Sequence, residues 1–214
     1  MNLFRPLPRK EPELYAGPLS TGLGLLFVFQ ALAPLLAALT TMALLALAPW
    51  SGIVSSAGLF EVGQGINLSN RYLSDILRFG VVIALGLVAW NTRRGLWIAV
   101  PLWLYVAVGK VMANAGMLRW ELGLALELGE RALACATLLV VGEAFRRRGR
   151  HPDATNALVA VGLTMVATLA QLGAELHPEA STLATGLLSL AQLVLSCRVL
   201  FAAWKELPVE QTEN

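Results

Sequence analysis

The chain has 214 residues, of which 57% are hydrophobic and only 14% charged, with a formal net charge of +2. This composition, with its positive mean hydropathy, argues against a soluble domain. The basic residues sit in short clusters between apolar runs, so their excess reads as membrane topology and not as a nucleic-acid interface.

In chain order, the N-terminus "MNLFRPLPRKEPELYAGPLS" is polar and proline-rich. Residues 1–19 therefore read as a cytoplasmic segment. The first apolar run starts too late and lasts too long for an ordinary signal peptide, and no removal is expected at "LALAPW" although it resembles a cleavage site. Apolar runs of bilayer-crossing length then recur, giving six predicted spans at about 20–48, 75–92, 95–113, 121–145, 154–175 and 181–204. A cytoplasmic tail, 205–214, follows. The links "NTRRG", "ANAGMLRW", "RRRGRHPD" and "LHPEAS" are short. Short links make sequential neighbours antiparallel, so the predicted fold is all-α, a compact up-and-down bundle of six transmembrane helices.

Residues 49–74, "PWSGIVSSAGLFEVGQGINLSNRYLS", break the pattern. Four glycines and mixed polarity suit a structured loop, an interfacial helix or a re-entrant segment better than a further span. "GQGINL" is no dinucleotide fingerprint, because no strand precedes it and the third glycine is missing.

Orientation follows from the basic residues. With the N-terminus inside, the cytoplasmic segments carry Arg5, Arg9, Lys10, Arg93, Arg94, Arg146, Arg147, Arg148, Arg150 and Lys205, whereas the outer loops carry only Arg71 and Arg119. Lys and Arg in short loops are retained on the cytoplasmic side, so both termini are expected there, in an inner membrane.

The fourth span holds charges where hydrocarbon is expected. From an outer entry at Glu121, a helical rise puts Glu127 roughly 9 Å deep and Glu130 and Arg131 about 14 Å deep. Glu127 and Arg131 are four apart in the favourable order for an intrahelical pair. Glu130 lies off that line and needs another partner or a proton. Lys110, near the outer end of the antiparallel third span, is placed to meet Glu121 or Glu127. Lys110, Arg131, Glu127 and Glu130 sum to zero charge, as an inward-facing cluster requires; exposure to lipid would cost several kcal/mol per charge. Gln30, Gln171 and Gln192 fall at mid or outer depth in spans one, five and six, and helix rotation decides whether they converge on the same interior. The cluster suits either a lock between helices or a polar cavity for a small ligand, ion, proton or quinone head group.

Other polar residues carry less. Cys135 and Cys197 stand alone in apolar segments and read as packing residues. His151 and His177 lie on opposite sides in this topology, which argues against a multi-histidine haem or metal site and leaves the cofactor open. Asp75 and Arg78 read as a surface pair at the outer entrance of span two, and Glu143 as a helix-face partner of Arg146 and Arg147. Arg198 lies near the inner end of span six and can snorkel to the interface. Trp90, Trp97, Trp103, Trp120 and Trp204 read as an interfacial belt. No nucleophile elbow, HExxH or phosphate loop is present, which lowers an enzymatic reading.

The acidic helix start, leucine- and glycine-rich run and basic turn "FRRRGRHPD", together with "LRFGVVIALGLVAWNTRRGLWIAVPLWL", resemble the central helices of DoxX-like membrane proteins over about residues 77–175. That family is typically four-span, and some members take part in quinone-linked sulfur oxidation. The resemblance implies a quinone-linked oxidoreductase subunit and assigns no residue. The residues themselves favour a membrane-complex subunit or a small-solute binding or transport protein. Expected partners are the bilayer, other membrane subunits, and a small solute or quinone, with no nucleic acid.

Overall fold

In the computed structural model, residues 12–47, 56–91, 98–176 and 182–207 are described, and all their regular elements are helical. α1 (Pro12–Leu26), a π-helical turn (Phe27–Leu32) and α2 (Ala33–Leu47) run on without a break as one rod. α3 (Ser56–Asn91), α4 (Ala99–Asn114), α5 (Trp120–Arg147), α6 (His151–Leu176) and α7 (Thr182–Glu206) supply the others. Among the described residues, 4 helical stretches are long and apolar enough to cross a membrane: Leu19–Leu44, Arg71–Ala89, His151–Leu172 and Gly186–Glu206. α4 is apolar but shorter. α5 has the length, but its charges interrupt the apolar run.

Each rod packs on its neighbours in sequence, and the first rod meets α7, so the helices close into a ring, with α5 also touching α7. Contacts fix the directions. Gly22 of α1 faces Val88 of α3 while Phe29 faces Gly80; Gly109 of α4 faces Leu126 of α5 while Val106 faces Gly129. Both pairs are antiparallel. The first rod is pinned to α7 by Phe27, Phe201 and Trp204, whose ring centroids lie 5.5 to 6.1 Å apart.

Two of the connecting turns share one helix-ending device. After α4, Met117 N–H returns to Met112 O and Gly116 N–H to Ala113 O; after α5, Arg150 N–H returns to Phe145 O and Gly149 N–H to Arg146 O. Gly116 and Gly149 both have φ +73°, the left-handed conformation that this double bond requires and a Cβ disfavours. Pro152, in the first turn of α6, occupies a position where its missing N–H costs no helix bond.

The two ends of the ring differ. Toward the end bearing the Arg-rich α5–α6 turn, the core is dry: Leu23 and Leu26 of α1, Leu85 and Val88 of α3, Leu138 and Phe145 of α5, and Val199 and Leu200 of α7 are all buried. Ala84, Ala107, Ala157, Ala160 and Ala203 are fully buried between helices, whereas Leu36, Ile83, Tyr105, Leu169 and Leu187 point outward. Small residues between helices and large apolar ones outside are the arrangement that suits a hydrocarbon surround, where close backbone approach replaces hydrophobic transfer. At Gly22 a Cβ would lie 2.9 Å from Val88 N and 3.0 Å from Ala84 O, so α1 and α3 approach as closely as a glycine allows.

At this basic end Arg150 pairs with Asp153 at 3.0 Å and with Glu206, and lies over the Phe145 ring. Arg148 donates to the Glu206 carbonyl, 3.3 Å away. Together they tie the α5–α6 turn to the end of α7.

Three expectations need correction. Residues 56–74 are not a structured loop but helical, as one of the alternatives had it, and form the first half of the 36-residue α3. Polar residues and glycines weaken helix propensity by at most about 1 kcal/mol each, which does not interrupt a helix anchored by the packed half that follows. Residues 49–55 lie outside the described residues, as do His177 and Trp97. Trp103 is not an interfacial marker: it is 3% exposed, within the core. Asp75 and Arg78 are not a surface pair at a helix entrance, because the helix continues through them. The remaining predicted spans coincide with rods to within about two turns.

Candidate functional site

Beyond the dry core, the ring encloses a cavity of about 320 Å³. Every rod contributes to it. The first rod supplies Phe29, Gln30 and Pro34; α3 supplies Ser74, Leu77, Arg78 and Val81; α4 supplies Trp103 and Lys110. From α5 come Glu127, Glu130, Arg131 and Ala134, from α6 Thr164, and from α7 Ser189, Gln192 and Leu193.

Helical spacing selects these side chains. Trp103 and Lys110 are seven residues apart on α4, two turns along one face. Glu127, Glu130, Arg131 and Ala134 follow the i, i+3, i+4, i+7 rule on α5. On α3, Ser74, Leu77, Arg78 and Val81 repeat the same offsets.

The charges form two clusters, one around Arg78 and one around Glu127. Arg78 Nε donates to Glu130 Oε1 at 2.9 Å, and Arg78 Nη1 to Asp75 Oδ1 at 2.7 Å. Asn114, at the end of α4, donates to both Asp75 oxygens at 3.0 and 3.1 Å. Glu127 is approached by Lys110 Nζ, Arg131 Nη2 and Gln171 Nε2, each at 3.5 Å. Arg131 also donates a short hydrogen bond to Gln171 Oε1. Asp75, Glu127 and Glu130 thus balance Arg78, Lys110 and Arg131 only across the two clusters together: the first holds two acids and one base, the second one acid and two bases. The two carboxylates differ: Glu130 is held by a close guanidinium contact, whereas Glu127 sits among three donors, all at the outer limit of hydrogen-bond distance.

Two polar atoms of the cavity residues have no protein partner. The Gln30 Oε1 acceptor and the Trp103 Nε1–H donor are both buried and unbonded. The backbone next to Gln30 is also irregular. Ala33 N–H bonds Val28 O in π register, and position 34 is proline.

The predicted residues are distributed as follows. Gln30, Lys110, Glu127, Glu130, Arg131 and Gln192 all line the cavity. Gln171 lies behind it, in the α5–α6 seam, where it bridges Arg131 and Glu127. Of the two acids suggested for Lys110, Glu127 is the one it meets; Glu121 is exposed. Sequence reasoning missed Arg78, whose side chain is only 13% exposed and supplies the cation that Glu130 lacked. It also missed Trp103. The signal for Arg78 was its offset from Ser74 and Val81, which places it on the inner stripe of α3; the signal for Trp103 was its heptad spacing from Lys110.

No family model matches the chain, and no curated protein or solved structure does.

Proposed function

We propose that this is an integral protein of the inner membrane, that all six rods cross the bilayer with the Arg-rich end and both termini cytoplasmic, and that the cavity is an outward-facing chamber that binds a small polar solute. One observation carries the reading: in a chain that is otherwise apolar, a cavity of about 320 Å³ is lined by polar residues drawn from every rod, five of them charged. α4 and α5 are included as spans because they sit in the ring between rods that are apolar enough to cross. The cavity-facing α5 charges, Glu127, Glu130 and Arg131, cancel against Asp75, Arg78 and Lys110, which removes the main cost of placing them in hydrocarbon. A lock between helices needs ion pairs but not a cavity.

Native mass spectrometry of the protein extracted gently from its own membrane tests this. The expected result is a lone chain carrying a reproducible small adduct that is lost in Glu130→Gln and in Lys110→Met while the fold is retained. An adduct kept by both variants, or none at all, overturns the chamber. Recovery only as part of a larger assembly overturns it in favour of a complex subunit.

A further inference from the structure

The chemistry of the cavity wall narrows the solute, given the reading of the cavity as a ligand chamber. Five charged residues line it, Arg78, Lys110 and Arg131 against Glu127 and Glu130. Bases outnumber acids by one. The acid that restores the balance, Asp75, is not part of the lining; it accepts two hydrogen bonds from Asn114 as well as the one from Arg78.

The surplus belongs to one of the two clusters. Arg78 is committed, with Nε on Glu130 at 2.9 Å and Nη1 on Asp75 at 2.7 Å. Lys110 and Arg131 instead share a single acid, Glu127, each reaching a different oxygen of it at 3.5 Å. Charge-assisted hydrogen bonds usually close to about 2.7–2.9 Å, so both cations stand off from their partner. They also keep donors in hand. Among the described residues, Lys110 bonds one protein partner with its three N–H groups, and Arg131 bonds Glu127 and Gln171 through Nη2 alone, which leaves the N–H groups of Nε and Nη1. Because the two cations address the two oxygens of one carboxylate, a second small anion is within reach of both.

Size and lining limit that anion. One surplus charge matches a monovalent ligand, whereas a divalent one would bring an uncompensated charge into a partly dehydrated site. The cavity, about 320 Å³, holds on the order of ten water volumes and lies at the lower end of the range for ligand pockets. Its lining is also partly apolar, with Phe29, Leu77, Val81, Ala134 and Leu193. Such a wall favours the hydrocarbon part of an organic acid and offers nothing to a halide.

We propose that the chamber takes a small monocarboxylate, with its carboxylate held by Lys110 and Arg131 in competition with Glu127 and its short alkyl group against the apolar lining.

The test uses the full-length protein in lipid nanodiscs, titrated with acetate, propionate and butyrate and, for comparison, with chloride, sulfate, methylammonium and glycerol. Binding is read by calorimetry. At least one monocarboxylate is expected to bind about tenfold or more tightly than any comparison probe, the effect of one charge-assisted hydrogen bond or about two buried methylene groups. Lys110→Met is expected to weaken it by a similar factor. Glu127→Gln is expected to tighten it severalfold, because the competing carboxylate is gone; a purely structural Glu127 would not give that gain. Since the probe comparison is made on the unaltered protein, it stands even if a variant does not fold. A comparison probe binding as tightly as every monocarboxylate overturns the inference while leaving the chamber intact. So does a folded Lys110→Met variant that binds as well as the unaltered protein, or a folded Glu127→Gln variant that binds no better. Failure of all probes on a protein that still carries a native adduct has the same meaning. Failure of all probes with no native adduct overturns the inference and the chamber together.

Discussion

The two halves of the ring solve opposite problems. The basic end is filled by Leu23, Leu85, Leu138, Phe145 and Leu200, with fully buried alanines letting the helices close together. The other half keeps a cavity open among five charged side chains, Arg78, Lys110, Glu127, Glu130 and Arg131, joined by ion pairs across and along the helices. Apolar packing and charge are therefore separated along the helix axes: one half fixes where the rods stand, and the other carries the charged cavity. α5 shows the division within one helix, since Leu138, Val141 and Phe145 pack while Glu127, Glu130 and Arg131 line the cavity.

Substitutions that respect or cross this division test it, and the largest effect belongs in the dry half. Phe145→Ala empties a side chain with no exposed surface and is expected to cost about 3–5 kcal/mol in reversible unfolding, without changing the affinity of the folded fraction. An equal loss of affinity would show that the halves are not separate. Next is Arg78→Met, which strands Glu130 without its cation and should cost about 3 kcal/mol. The double variant Arg78→Met/Glu130→Met should recover part of that, giving a coupling of at least about 1 kcal/mol; strict additivity would mean that the pair does not hold α3 to α5.

Gly22→Ala forces a Cβ onto the Val88 and Ala84 backbone and is expected to cost about 1–3 kcal/mol, seen as a lower unfolding midpoint with the cavity residues untouched. The smallest effect is that of Arg150→Gln. Its pairs with Asp153 and Glu206 are partly exposed, so the loss should be about 0.5–1 kcal/mol and should shrink as salt is added. A loss that does not respond to salt would instead point to the Phe145 ring contact.

The helices were legible in the sequence because apolar runs of fixed length leave little freedom. The Glu127–Arg131 pair was legible because it depends only on spacing within one helix. What escaped was whatever depends on how a helix is rotated or where it begins. Arg78 looked like a surface residue because the apolar pattern of span two fades near Asp75, yet helix continues to Ser56 and turns that position into an interior one. Trp103 was grouped with the tryptophans near span ends, although it lies near the middle of the predicted third span, and its place among neighbouring rods buries it. The π turn ends two residues before Pro34, which lies four residues beyond Gln30 and has no N–H to donate to the preceding turn. A proline inside an apolar run was a readable sign, but the register it would select was not.

Closure of the ring between the first described rod and α7 also makes the cavity a product of contacts far apart in the sequence. Gln30 and Gln192 line it from the two ends of the described residues. Arg78 finds Asp75 one turn away on its own helix, but its bond to Glu130 needs α5 in place. The lining is complete only once α7 packs against Phe27, so a cavity of this kind forms through non-local contacts and not within any one helical hairpin.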